Sequence, residues 1–156
     1  SIYDNIIMPA YQTAVGKTKA GRAAVNERAK ILMQKLGISE VADNDINEVS
    51  GGQLQRACIC RSLINHPRIL FADEPTGALN KQSSHEVMEE LNRIHKEGTS
   101  ILLVTHDMKV ASRCDRVLYI EDGNIRDEMQ LGAWEDCTDI RKRERRLNEW
   151  LITLGW

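Results

Sequence analysis

The stretch RILFADEP, residues 68–75, decides the fold class of this chain. Its apolar part is continuous rather than alternating, which is typical of a strand buried on both faces of a parallel sheet. Two further runs of the same kind occupy residues 100–105 and 116–121. Helices are predicted between these runs, so we expect an α/β fold with right-handed crossovers.

The helices that alternate with these strands follow from apolar spacing. Residues 81–97 place Val87, Leu91 and Ile94 on one face, and Gly98 ends that helix. A shorter helix over residues 108–113 joins the second and third strands. Residues 123–132 are typical of a turn followed by a short edge segment.

The first 66 residues have a different character, because no strong strand precedes Arg68. A helix over residues 21–36 closes at Gly37, and its predicted core face consists of Val25, Ala29, Leu32, Met33 and Leu36. We therefore divide the chain into a helical subdomain (1–66), an α/β layer (67–132) and a C-terminal helix (133–156). The apolar stripe predicted for that last helix is Leu147, Trp150, Leu151 and Leu154.

Composition excludes several classes of function. Hydrophobic residues make up 42% of the 156 residues and charged residues 28%, which indicates a globular protein rather than a disordered one. The net charge of −2 and the 4% aromatic content argue against nucleic-acid binding. No apolar stretch is long enough to span a membrane, and we see no signal peptide, so we expect a cytosolic location.

Two features have competing interpretations. Cys58, Cys60, Cys114 and Cys137 lack metal-site spacing, so we interpret them as small core or surface residues, with a redox or zinc site as the alternative. The run at residues 142–146 is either a basic patch for a partner or, as we favour, a solvated helix face.

The first motif that carries chemistry is the acidic pair Asp73-Glu74. A buried strand that ends in acids places charge at the carboxyl edge of the sheet, where open α/β folds bind ligands. Asp73 suits Mg²⁺, which is often held by one carboxylate together with substrate phosphates. Glu74 would point the other way and could polarise an attacking water. Taken alone, the pair is better explained as solvated acids at a strand end.

Two further motifs lie before and after this pair. Ser50-Gly51-Gly52-Gln53 opens an apolar-patterned helix, where Ser50 can cap the helix and free N–H groups can bind phosphate. His106 follows the second apolar run and could donate to a phosphate oxygen. Taken singly, each of the two is better explained by an ordinary structural role, Ser50 as a helix cap and His106 as a structural histidine.

Together the motifs resemble the nucleotide-binding subunit of ATP-binding cassette (ABC) transporters. Residues 49–56 resemble the family signature sequence, residues 69–74 Walker B, residues 77–80 the D-loop, and His106 the switch histidine. Residues 74–80 are most similar to exporters of the macrolide, lipoprotein-release and bacitracin-resistance type. Val49 stands where leucine is usual, and Asn80 where aspartate is usual.

The resemblance implies a partial P-loop NTPase (RecA-like) parallel sheet with a helical subdomain. It also implies an ATPase that binds ATP and Mg²⁺ at a head-to-tail dimer interface and works with a membrane permease at the cytoplasmic face of the membrane. By the same resemblance, Asp73 holds the metal, and Glu74 and His106 are catalytic. Ser50, Gly51, Gly52, Gln53 and Asn80 contact the nucleotide of the opposite subunit.

A P-loop is missing from the sequence. Gly16-Lys17-Thr18 lacks the required first glycine, since position 11 is Tyr11, and no strand is predicted before it. The chain thus resembles the C-terminal part of a cassette, which we expect to be inactive alone. The alternatives are a non-transport ATPase of the same family and a regulatory or interaction module.

Overall fold

The computed structural model describes residues 1–77, 79–135 and 139–155. It has two compact units, Ser1–Leu103 and Val104–Trp156. Helices and strands are mixed along the chain, as predicted for an α/β protein. The elements are α1 (Ile2–Tyr11), α2 (Lys19–Lys35), α3 (Gly51–Leu63), β1 (Ile69–Asp73), α4 (Lys81–Lys96), β2 (Ser100–Val104), α5 (Met108–Ala111), β3 (Arg116–Glu121), β4 (Asn124–Gln130) and α6 (Ile140–Thr153).

The first unit begins with three packed helices, α1, α2 and α3. The core face predicted for α2 is confirmed, because all five of its apolar residues are buried. α2 starts at Lys19, two residues earlier than predicted, since the Thr18 hydroxyl caps it by accepting from the Gly21 N–H at 2.9 Å. Beyond the end of α2, Gly37 adopts a φ of +61°, a left-handed conformation that favours glycine.

The strands β1 and β2 pair in a two-stranded sheet. They run parallel, because the Ser100 N–H at the start of β2 donates to the Arg68 carbonyl just before β1, at 3.0 Å. α4 makes the crossover between them, and its predicted face of Val87, Leu91 and Ile94 is buried. The crossover thus brings the start of β2 next to the start of β1.

The prediction that these strands are buried on both faces is wrong. Leu70 is only 5% exposed, whereas its neighbour Phe71 is 73% exposed. Ile69 and Leu102 are also about half exposed, at 52% and 50%. The physical reason is that the described residues provide no second layer over this face, so continuous apolar runs are buried on one side only.

This asymmetry gives a stability prediction within one strand. Leu70→Ala removes a buried side chain and is expected to destabilise the first unit by about 2–5 kcal/mol. Phe71→Ala removes the larger side chain, yet it is expected to cost under about 1 kcal/mol because Phe71 is already in water. Urea unfolding of the two variants makes the comparison, and an equal or larger loss for Phe71→Ala would contradict the exposed face.

The prediction that residues 116–121 join the parallel layer is also wrong. β3 pairs with β4 in a separate antiparallel sheet. Asp122 and Gly123, with φ of +50° and +75°, form the turn, and two consecutive positive φ values suit a tight hairpin. The chain therefore folds back locally, and the predicted edge segment after residue 123 becomes the seven-residue strand β4.

The C-terminal helix α6 begins at Ile140, and residues 136–138 lie outside the described residues. Leu147 and Leu151 of the predicted stripe are buried, and Trp150 is half-buried. A T-shaped contact joins the Trp150 ring to that of Tyr119 at 6.4 Å between centroids. The Trp150 indole also donates to Asp127 at 2.9 Å, and this hydrogen bond is the main cause of the lowered pKa of Asp127.

The solvated-face interpretation of residues 142–146 fails at one position. Arg143 is buried, at 6% exposure, although Lys142, Arg145 and Arg146 are exposed. Its guanidinium donates to five backbone carbonyls at 2.6–3.4 Å. The carbonyls belong to Ser112, Cys114, Leu131, Gly132 and Ala133. Arg143 is therefore a structural cation rather than part of a surface patch.

The predicted domain boundaries at 66/67 and 132/133 fall inside the two compact units, and that division stays a prediction. Cys58 is exposed, and burial raises the thiol pKa of Cys60 to about 12 and of Cys114 to about 11. Cys137 lies outside the described residues. In the described part of the chain, the helices are too short or too polar for any of them to traverse a bilayer.

Candidate functional site

The N-terminus of α3 is built as the sequence predicts. The Ser50 hydroxyl accepts from the Gln53 N–H at 3.3 Å, and the Gln53 side-chain oxygen accepts from the Ser50 N–H at 2.9 Å. This reciprocal capping box fixes the first turn of the helix. Ser50 and Gly51 are exposed, so the positive end of the helix faces solvent.

The two glycines of this turn have different surroundings. Gly51 is exposed, whereas Gly52 is buried against the first turn of α4. A Cβ at position 52 would lie 2.9 Å from the Ser83 hydroxyl and 3.1 Å from the Ser83 Cβ. Gly52 is therefore required for close helix packing, and Gly51 leaves the tip of α3 unobstructed.

Asn80 caps α4, the helix that packs against this turn. Its side-chain oxygen accepts from the Ser83 N–H at 2.9 Å. Ser83 thus contacts the α3 turn through its side chain and Asn80 through its backbone. The structure accordingly brings Ser50, Gly51, Gly52, Gln53 and Asn80 to adjacent helix N-termini in the first unit.

Asp73 and Glu74 lie where β1 ends. Asp73 is the last residue of the strand and is exposed. Glu74 is half-buried and has a φ of +43°, a left-handed conformation that costs a non-glycine residue about 1–2 kcal/mol. A turn follows, in which the Gly77 N–H donates to the Glu74 carbonyl at 3.1 Å. Such strain at a carboxylate is more typical of a functional position than of an ordinary strand end.

The acidic pair fits a Mg²⁺ site that is completed by a bound ligand better than a site formed by protein side chains alone. Within the described residues there is no group of three or more Asp, Glu, His or Cys side chains that could hold a metal by itself. A single exposed carboxylate such as Asp73 is the donor that Mg²⁺ uses when phosphates and water supply the remaining oxygens. The donor chemistry therefore fits a metal that arrives with a phosphate ligand.

A groove of about 200 Å³ lies between α3 and β1 in the same unit. Asp73 and Pro75 line it beside apolar residues of β1, and Cys58 and Ser62 line it from α3. The groove therefore borders the acidic end of β1. His85 and His95, to which the sequence assigns no role, do not line it.

His106 belongs to the second unit, where it is exposed. Its neighbours form a compact cap: the Asp107 N–H donates to the Thr105 hydroxyl at 3.0 Å, and the Asp107 carboxylate accepts from the Lys109 N–H at 2.8 Å. This cap starts α5 and holds the backbone on both sides of His106. The convergence of His106 with Glu74 stays a prediction.

The rejection of Gly16-Lys17-Thr18 as a phosphate loop is confirmed. The segment follows α1 rather than a strand, and Val15–Lys17 forms a 3₁₀ turn. A Cβ at Gly16 would lie 2.4 Å from the Tyr11 Cα, so this glycine serves close packing. Thr18 is occupied as the cap of α2.

Sequence reasoning missed one interaction beside the site. Arg56 of α3 forms an ion pair with Glu86 of α4 at 2.7 Å. The two residues are thirty positions apart, and no local spacing rule relates them. The available signal was that Arg56 lies one turn after Gly52 on the same helix face.

Comparisons with known proteins point to one group of transport proteins. A family model described as "ABC transporter" matches residues 2–77. The macrolide export ATP-binding/permease protein MacB of Aggregatibacter actinomycetemcomitans is 41% identical over 127 residues, which are 81% of this chain and 19% of that protein. The bacitracin export ATP-binding protein BceA of Halalkalibacterium halodurans is 40% identical over 133 residues, covering 85% of this chain and 51% of that protein. The chain therefore spans about half or less of these relatives.

Solved structures show the same fold. A dimeric post-hydrolysis state of the ATP-binding cassette MJ0796, bound to ADP and Pi, superimposes with a TM-score of 0.70 at 30% identity, covering 86% of this chain and 58% of that one. The cbiO1 protein of Clostridium perfringens, part of the ABC transporter complex cbiONQ, gives 0.74 at 25% identity, covering 99% of this chain and 59% of that one. With its signature-like helix tip, its acidic strand end and these relatives, the chain is similar to the ATP-binding cassettes of ABC transporters and spans part of one.

Proposed function

We propose that this chain is part of the ATP-hydrolysing subunit of an ABC exporter. The named relatives include a macrolide exporter and a bacitracin exporter, and a solved neighbour is a cassette dimer bound to ADP and Pi. The observation that carries the proposal is the exposed tip of α3, where Ser50 and Gly51 leave the positive helix end accessible. Such a tip suits the phosphates of a nucleotide.

In this proposal the α3 tip acts across a head-to-tail dimer of cassettes. Ser50, Gly51 and Gln53 complete the site of the nucleotide held by the opposite subunit, and Asn80 contributes from the adjacent turn. Gly52 acts indirectly, since it is buried and lets α4 pack close to the tip. The glycine at position 51 places no side chain between the helix end and its ligand.

The acidic pair and His106 would serve the nucleotide of their own subunit. Bound Mg²⁺ would neutralise charge on the phosphates, and Asp73 is the residue that would hold it. Glu74 would accept a proton from the attacking water, because a carboxylate on a constrained turn can be held in one orientation. His106 would donate to the γ-phosphate and stabilise developing charge. Catalysis of this kind depends mainly on positioning and electrostatics.

The partners of this proposal are a second cassette, most simply an identical one, and a membrane permease at the cytoplasmic face of the membrane. ATP can favour closure of the dimer only through higher affinity for the closed state. We propose that the helices of the first unit transmit this closure to the permease.

The 156-residue chain, which holds no P-loop, is expected to bind ATP more weakly than micromolar and not to hydrolyse it. Calorimetric titration with ATP measures the affinity directly.

Two matched helix caps test the proposed function. Ser50→Ala and Thr18→Ala each remove a capping hydroxyl, and each is expected to cost about 1 kcal/mol of helix stability. In the ATP-hydrolysing protein that carries this chain, Ser50→Ala is expected to lower ATP turnover at least about tenfold, because a donor to phosphate is lost. Thr18→Ala should change turnover less than about twofold, because Thr18 caps α2 and is not among the proposed nucleotide contacts.

Equal effects of the two cap variants on ATP turnover would contradict the role of Ser50. Absence of ATP hydrolysis in the unaltered protein would contradict the proposed function itself. Thermal unfolding of both variants controls for their shared effect on helix stability.

A further inference from the structure

Two contacts between α3 and α4, Gly52 with Ser83 and Arg56 with Glu86, join the helix N-termini of the candidate site. We call this line of contacts the seam. At its first contact, Gly52 packs so closely on Ser83 that a Cβ would lie 2.9 Å from the Ser83 hydroxyl. The Ser83 N–H is in turn held by the Asn80 side chain at 2.9 Å. A displacement of the α3 turn would therefore also displace Ser83, whose N–H is bound by the Asn80 side chain.

The second contact of the seam lies one helical turn further along both helices. Nη1 of Arg56 donates to Oε2 of Glu86 at 2.7 Å, and Nε2 of Gln82 donates to the other carboxylate oxygen at 2.8 Å. These two hydrogen bonds hold the pKa of Glu86 below its ordinary value, and the hydrogen bond from Gln82 has the larger effect. Spacings of four in α3 and three in α4 place the contacts on one face of each helix.

The Arg56–Glu86 ion pair is expected to contribute little to the stability of the fold. The Arg56 side chain is only 15% exposed, and its buried Nε has no hydrogen-bond partner among the residues that the structure describes. Burying a guanidinium and leaving one of its donors unsatisfied cancels much of the attraction of the pair. The directional hydrogen bond from the planar guanidinium of α3 to Glu86 of α4 nevertheless restricts the relative rotation of the two helices.

We infer that Arg56 and Glu86 are positioning residues that lock the α3 tip to the Asn80 turn, so that Ser50 and Asn80 meet the nucleotide as one rigid edge. Neither Arg56 nor Glu86 touches the nucleotide in this arrangement. The inference rests on the proposed function for its consequence, which is that losing the pair impairs the catalytic step more than nucleotide binding. The structural part of the inference, the coupling of the two helix starts, can be tested without an activity assay.

Hydrogen exchange of the 156-residue chain tests the lock. The reporters are the two cap amides, Gln53 N–H bonded to Ser50 and Ser83 N–H bonded to Asn80. Arg56→Gln and Glu86→Gln are each expected to speed exchange about tenfold at both amides, because each helix start then loses the cross-helix contact that opposes its opening. The charge swap that combines Arg56→Glu with Glu86→Arg is expected to bring both rates back to within about threefold of the unaltered chain.

Arg93→Gln provides the matched control, since it removes an ion pair with Glu90 that lies within α4 alone. It should leave exchange at the Gln53 amide unchanged. Faster exchange on the mutated helix only, an equal effect of Arg93→Gln, or no recovery in the charge swap would overturn the inference. If Arg56→Gln fails to fold, Arg56→Lys keeps the charge without the planar fork and is expected to speed exchange at both amides, and unchanged exchange would also overturn it.

Kinetics of the complete ATPase separate this inference from the proposed function. Arg56→Gln is expected to lower kcat about tenfold with the KM for ATP changed less than about twofold, and the charge swap should recover most of kcat. An unaltered protein without ATP hydrolysis would refute the proposed function. An active protein whose kcat is indifferent to Arg56→Gln would refute the positioning role alone.

Discussion

Glu74→Gln is expected to lower ATP turnover by about 100-fold or more in the ATP-hydrolysing protein that carries this chain. The substitution keeps the size of the side chain and removes the group that would accept a proton from water. Glu74 follows the last residue of β1 with a φ of +43°, so the backbone holds its side chain at a defined place. Binding of ATP should be nearly unchanged, because the carboxylate acts on the attacking water.

A steady-state assay of phosphate release measures this effect, and gel filtration with ATP reports the second expected consequence, accumulation of a closed dimer. Glu27→Gln is the matched control, since Glu27 is an exposed residue of α2 outside the proposed machinery. Turnover of Glu74→Gln within about fivefold of the unaltered protein would show that another group accepts the proton.

Arg143→Met is expected to destabilise the second unit by about 3 kcal/mol or more. The guanidinium donates to five carbonyls in the segments 112–114 and 131–133, and the exposure of Arg143 is 6%. Methionine has a similar apolar stem but no donors, so several buried carbonyls would lose their partners. Burial lowers the pKa of Arg143, but the residue stays charged because the pKa of a guanidinium starts far above neutrality.

Hydrogen exchange at Leu131 and Gly132 measures this loss locally, because both N–H groups donate to the Asp115 carbonyl, at 2.8 and 3.0 Å. Arg145→Met is the control on the same helix: the Arg145 side chain is 72% exposed, and its ion pair with Glu149 is long, at 4.0 Å. We expect it to change stability by less than about 0.5 kcal/mol. Equal effects of the two substitutions would refute the structural role of Arg143.

Local patterns were sufficient for much of this fold. The core face of α2, the buried face of α4 and the capping role of Ser50 were all predicted, because apolar spacing and capping depend on residues within a few positions of each other. The same holds for the rejection of Gly16-Lys17-Thr18, where the spacing of one glycine is decisive. The resemblance to the family could also be recognised, since each of its motifs is a short run of consecutive residues.

Long-range packing accounts for the errors. Phe71 has the sequence context of a core residue and is 73% exposed, because burial depends on what other segments cover a face. The third apolar run pairs with β4 rather than joining a parallel layer, since the Asp122-Gly123 turn offers a nearer partner. Arg143 lies in a run of charges, and only the fold brings five carbonyls to it.

By itself, the sequence determined the helical faces, the acidic strand end and the signature-like helix start, since each depends on neighbours along the chain. Only the tertiary structure decided that Gly52 contacts Ser83, that Arg56 reaches Glu86 across thirty residues, and that one face of β1 meets water. The physical reason is that contacts between distant segments depend on how helices and strands pack, and packing is not encoded in any local spacing.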